Sequence, residues 1–172
     1  MCYVKINALL TFLFLCSCRS HSTKDDVILN RYVIYPGIGI RYAKLGSNWK
    51  TSRDVPKRDL NSIGLRIKSN QVCKVIIDNP LYKIANTEIS VGSGFGSFRL
   101  EFPNAIEDQS GKREFVLPVW MIDGLSITLD ANSSFIKSIS VFSENICTTN
   151  GPYDEAIYFN EKGELSRGDP FR

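Results

Sequence analysis

Five cysteines and one histidine, His21, set the limits of metal and nucleophile chemistry in this 172-residue chain. A Ser-His-Asp triad needs a histidine held in fixed geometry. His21 sits in a polar stretch with nothing to fix it. A structural zinc site needs about four Cys, His or carboxylate ligands. Cys73, Cys147 and a lone histidine do not supply them, so no metal and no cofactor is expected. Val91-Gly92-Ser93-Gly94-Phe95-Gly96 is glycine-rich, but it lacks the lysine and following Ser/Thr of a phosphate loop and does not complete the dinucleotide pattern. Asp130-Ala131-Asn132 lacks the downstream glycine and glutamate of a calcium loop. The carboxylate pairs Asp25-Asp26, Glu107-Asp108 and Asp154-Glu155 lie in polar stretches and read as solvated charges. No catalytic residue is assigned. A hydrolase of envelope polysaccharide using two buried carboxylates stays open as an alternative, because such pairs leave no local spacing.

The strongest pattern lies at the N-terminus. Lys5, an apolar run over 6–15 and the small Ser17 follow the order of a secretory signal. The run is shorter than the roughly 20 apolar residues of a membrane span. Leu15-Cys16-Ser17-Cys18 resembles the lipobox of bacterial lipoproteins, with leucine, a small residue, serine and then cysteine. The resemblance implies cleavage before Cys18, a thioether-linked diacylglycerol on its sulfur and an acylated amino group. Each buried methylene contributes about 0.8 kcal/mol, so two or three chains fasten a protein to a bilayer durably. Arg19 follows the cysteine where an aspartate would signal retention at the inner membrane, which points to the outer membrane of the cell envelope.

Cleavage removes residues 1–17 and leaves 155, enough for one ordinary domain. Without Lys5, 20 basic and 18 acidic side chains remain, too balanced for a nucleic-acid binder. Residues 18–30 read as a flexible tether with a reach of at most roughly 40 Å. The folded domain is expected over 31–172. With Cys18 acylated, Cys73 and Cys147 form an even pair in an oxidising compartment; a disulfide and two separate buried thiols are both open.

A faint internal repeat organises that domain. Ala43-Lys44-Leu45-Gly46-Ser47 matches Ile89-Ser90-Val91-Gly92-Ser93, and Trp49 and Phe95 each fall three residues after the glycine. Gly64-Leu65 matches Gly124-Leu125, and each leads through a polar turn into a β-rich run. Each unit reads as strand, Gly-Ser turn, short helix and two-stranded hairpin, with Ser47 and Ser93 as helix caps. Units are expected over 40–80 and 86–144, with residues 103–114 as a loop or hairpin insertion. A closing hairpin is expected over 153–167. The predicted class is α+β: an antiparallel sheet with short helices on one face, in two tandem helix-hairpin units. This order looks like the tandem units of β-lactamase-inhibitor-protein-like folds, and the single unit resembles small outer-membrane assembly lipoproteins of the SmpA/OmlA type. The resemblance implies a non-enzymatic module that binds a protein through its sheet, or an assembly factor of the outer membrane. Trp49 and Trp120 are the candidate contact residues, since tryptophan dominates binding energetics where it is exposed.

Overall fold

The computed structural model describes residues 29–51, 59, 61–108, 117–143, 154–159 and 165–168. The predicted signal segment 1–17, residues 18–28 of the predicted tether with Cys18, His21 and Asp25-Asp26, residues 109–114 of the predicted insertion, and Cys147 lie outside the described residues; Leu29, read as part of the tether, is buried.

The strands in chain order are β1 (Val33–Ile34), β2 (Gly39–Ile40), β3 (Ala43–Lys44), β4 (Ile63–Lys68), β5 (Gln71–Ile77), β6 (Lys83–Ile84), β7 (Ile106–Glu107), β8 (Val119–Ile122), β9 (Leu125–Leu129), β10 (Ile136–Phe142), β11 (Glu155–Phe159) and β12 (Leu165–Arg167). Eight of them form one antiparallel sheet in the order β12-β11-β4-β5-β10-β9-β8-β7. One face of the sheet carries Leu65, Val75, Val141, Leu125, Ile157 and Phe159, all buried. Against it pack Ile34, Ile40 and Ile84 from β1, β2 and β6, Tyr82 and Ile89 from the chain flanking β6, and Phe98 from α1 (Phe95–Glu101), the one α-helix among the described residues.

This overturns the expected α+β class of two tandem helix-hairpin units with helices packed on one face. The chain is mostly β, with 48 % strand and 9 % helix over the described residues. After Ser47 the described residues form a 3-10 turn, Trp49–Thr51. Asn48 Oδ1 accepts the Lys50 N–H at 3.0 Å, the bond of an N-cap side chain to a first-turn donor that has no partner within a helix. Ser47 caps nothing: its Oγ donates back to the Lys44 carbonyl at 2.6 Å. Ser93 Oγ likewise bonds three residues back, accepting the Ser90 N–H at 3.0 Å, and α1 has Gly94 at its N-cap with no side-chain bond. α1 forms because Phe95, Phe98 and Phe102 share one stripe facing the core.

The internal likeness nevertheless has a structural counterpart, down to individual hydrogen bonds. The Gly46 N–H donates to the Val72 carbonyl and the Val72 N–H to the Ser47 carbonyl; Gly92, Ile136 and Ser93 repeat the pair. Isolated bridges join Asn48 to Gln71 and Gly94 to Phe135 in the same relative place. Both hairpins are bulged at equivalent residues. Cys73 is the extra residue between the pairs Ile67–Val72 and Arg66–Lys74, and Lys137 between Leu129–Ile136 and Thr128–Ser138. Leu65 therefore corresponds to Ile127, two residues beyond the match read from Gly64-Leu65 and Gly124-Leu125. Cross-strand pairs Val75–Val141 and Ile77–Ile139 place a pseudo-two-fold axis at Ile76–Ser140. The outer positions are filled differently. Beside β9 stands the hairpin β7–β8, inserted within the second module, whereas beside β4 stands the C-terminal hairpin β11–β12.

Candidate protein-binding surface

The two tryptophans are brought to different corners of the covered side. Trp120 on β8 pairs across to Ile127, in the row of Ile77, while Trp49 follows the turn that bonds to Val72 at the other end of β5. Both are half-buried against the core. Trp120 has its ring centroid 5.0 Å from that of Phe95, and the Arg99 guanidinium lies 4.6 Å from its ring centre. Arg99 also donates to the Ala105 carbonyl at 2.6 Å, so it ties α1 to the start of β7. This is a packed cation–aromatic stack that orients a helix. Lys50 stands 5.7 Å over the Trp49 ring.

The sheet's second face has another character. Because side chains alternate, residues that share a row across the strands share a face. One row runs through all eight strands: Ser166, Tyr158, Gly64, Ile76, Ser140, Ser126, Met121 and Ile106. It holds no charged residue. Ile76, Met121 and Tyr158 are half-buried and Ile106, on the sheet edge, is 64 % exposed. The row on one side of it holds Thr128, Ser138 and Val119, and the row on its other side holds Arg66, Lys74 and the buried Phe142. A solvated face of an antiparallel sheet ordinarily alternates to charged and polar residues. The sequence carried a sign of this: Val75-Ile76-Ile77 is apolar on both faces, a run that reads as covered on two sides.

The acidic residues close turns. Asp130 Oδ1 accepts the Ser134 and Phe135 N–H groups at 2.8 and 3.2 Å. Asp154 Oδ2 accepts the Ser69 N–H at 2.7 Å, and Glu155 pairs with Arg167 at 3.4 Å. Glu107 and Asp108 are half-buried at β7. One acidic residue was not singled out from sequence. Asp59 is fully buried and accepts from the Asn79 amide and the Tyr82 hydroxyl, each at 3.2 Å. Burial first, and then the Asp59 carboxylate, push the Tyr82 phenol far above its ordinary value. Nothing in the spacing of 59, 79 and 82 announces this contact, which only the fold creates. Among the described residues no group of three or more His, Cys, Asp and Glu gathers as a metal site, and no helix is long and apolar enough to cross a membrane.

Cys73 is buried and disulfide-bonded, and its partner lies outside the described residues. In the glycine-rich segment only Gly92 needs its glycine, at φ +87°; a Cβ on Gly94 or Gly96 would meet open space. Comparison with protein-family models, curated proteins and solved structures finds no match for this chain.

Proposed function

We propose that this chain is a non-enzymatic lipoprotein of the bacterial envelope, held on the outer membrane by acyl chains on Cys18, that docks a protein on the second face of its sheet. The observation that carries the docking reading is the uncharged row from Ser166 to Ile106, ending in an exposed isoleucine. Apolar side chains left at a surface, with hydroxyls along one side and Lys74 along the other, suit a flat protein partner, which can cover the isoleucine and methionine while accepting bonds from Ser138 and Thr128. Trp49 and Trp120 serve on the other side of the sheet, as packing residues with exposed edges.

Two experiments test the halves separately. Cys18→Ala in the native host is expected to release the protein from membranes and abolish labelling by an alkynyl fatty acid; labelling that persists rejects Cys18 as the anchor. For docking, a photoreactive residue is placed at Ile76 or Met121 and, as control, at Ile38 or Leu81 in the covering layer. One adduct is expected at the first pair, lost when Ile106→Lys is added. Adducts as strong from the control positions reject the second face as the docking surface.

A further inference from the structure

Charge is sorted across the second face. On one side of the uncharged row stand Arg66 and Lys74, with the buried Phe142. On the other stand Asp78, Ser138, Thr128 and Asp108. The ladder reaches both aspartates: the Asp78 N–H donates to the Ser62 carbonyl and the Asp108 N–H to the Val119 carbonyl, each at 2.8 Å. The exposed bulge residue Lys137 lies beyond Ser138, farther from the row. Lys74 and Ile76 are half-buried and Asp78 is exposed, and alternation along β5 puts all three on this face. Roughly 13 Å of strand separates Lys74 from Asp78, with Ile76 midway. β5 is fourth in the order of eight, at the middle of the sheet.

A face that is basic on one side and acidic on the other fits a copy of itself. Two sheets packed face to face can be related by a two-fold axis lying between them, and such a contact makes every pairing twice. An axis along the strands keeps each side of the face over the same side of the copy. An axis along the uncharged row exchanges the sides. It sets Lys74 opposite Asp78 of the second copy, Arg66 opposite Ser62, Phe142 opposite Ser138 and Asp108 opposite Asn104, so among these no like charges meet. Ile76 and Met121 lie on the axis and cover their own counterparts. Packed sheets stand about 10 Å apart, a gap that a lysine and an aspartate span together. Sheets crossing at about 30° diverge least at their middle strands, where Lys74 and Asp78 lie.

We propose, resting on the second face as the docking surface, that its occupant is a second copy of this chain, laid face to face about a two-fold axis along the uncharged row. Opposite charge at two symmetric points fixes the register, and like charge rejects other orientations.

Two full-length copies with different epitope tags are expressed together, extracted in mild detergent, and one is captured. Native copies are expected to co-purify. Lys74→Asp in both copies, or Asp78→Lys in both, is expected to lower the yield on the order of tenfold, because each sets like charges opposite one another. Lys74→Asp in one copy with Asp78→Lys in the other renews both pairs, reversed, and is expected to recover the yield. Such recovery also shows that each variant folds. Native copies that do not co-purify, single-variant pairs that match the native yield, or a mixed pair no better than the single-variant pairs overturn the proposal. The photoreactive residue at Ile76 separates this from the docking surface itself. An adduct of twice the chain's mass supports the second copy. An adduct of another mass overturns it and leaves the docking surface standing, while absence of any adduct at Ile76 and Met121 rejects both.

Discussion

At the scale of single residues, the Asp59–Tyr82 contact places a carboxyl group wholly out of solvent. A carboxylate removed from water is tolerated only when its oxygens are bonded, and here a phenol and an amide supply the donors. Tyr82→Phe removes one donor and leaves a buried oxygen short, at a cost of about 1.5–3 kcal/mol. The tyrosine also sets a pH dependence. Its folded pKa lies above the value near 10 of an unfolded tyrosine. The stability it contributes is complete below about pH 10 and is lost as pH rises beyond, because only the unfolded chain then releases the proton. Urea midpoints measured from pH 8 to 11.5 should fall more steeply above pH 10 for the native chain than for Tyr82→Phe. The difference should approach about 1.4 kcal/mol per pH unit. Parallel curves would show that the phenol ionises freely in the folded state.

At the scale of elements, the glycines divide into those that shape turns and those that do not. Asp123-Gly124 is the two-residue turn of the β8–β9 hairpin, with φ of 21° and 73°. A Cβ on Gly124 would stand 2.8 Å from the Gly37 backbone. Gly124→Ala should therefore cost about 2–3 kcal/mol, from left-handed strain and from moving a neighbouring turn. Gly96 lies inside α1, with open space around it. Gly96→Ala should stabilise by about 0.5–1 kcal/mol through the lower entropy of the unfolded chain. Thermal midpoints of the two variants should move in opposite directions. A loss of stability in Gly96→Ala would mean that the glycine-rich segment needs the conformations alanine lacks. Asp-Gly is a strong hairpin signal, yet the sequence reading used Gly124 only as a repeat marker, and so placed that correspondence two residues away.

At the scale of the whole molecule, the two modules are not equally self-contained. The second carries its own outer hairpin, β7–β8, whereas β4 in the first is covered by strands from the far end of the chain. Ile157 and Phe159 are buried in the common core, each contributing about 1.5–3 kcal/mol. Ending the chain after residue 153 removes both and leaves β4 as a long unpaired edge, which invites aggregation. That truncated chain should show no cooperative melting transition and should sediment as aggregate. A monomer with the native melting curve would show that the first module folds without its borrowed hairpin.

Several elements could be read before the fold was in hand because their causes are local. Gly46-Ser47 and Gly92-Ser93 make like turns because each glycine takes a left-handed φ, 78° and 87°, that its neighbours would resist. The hairpins follow from short polar turns between β-rich runs. Two of the local signals were outweighed. Ser47 and Ser93 have the chemistry of helix caps, but their hydroxyls found turn partners three residues back. The cap of the 3-10 turn Trp49–Thr51 is instead Asn48, whose Oδ1 accepts the Lys50 N–H. Strand neighbours were a different matter. Which hairpin stands beside β4, how β5 meets β10 across a pseudo-two-fold axis, and the meeting of Asp59 with Tyr82 depend on closing loops over tens of residues. The chain accepts that entropy only when a whole apolar face is buried in return, and no short stretch of residues records the bargain. Turns and strands were thus written along the chain, while the eight-stranded sheet, its uncharged row and the buried Asp59 came into being only when distant segments packed.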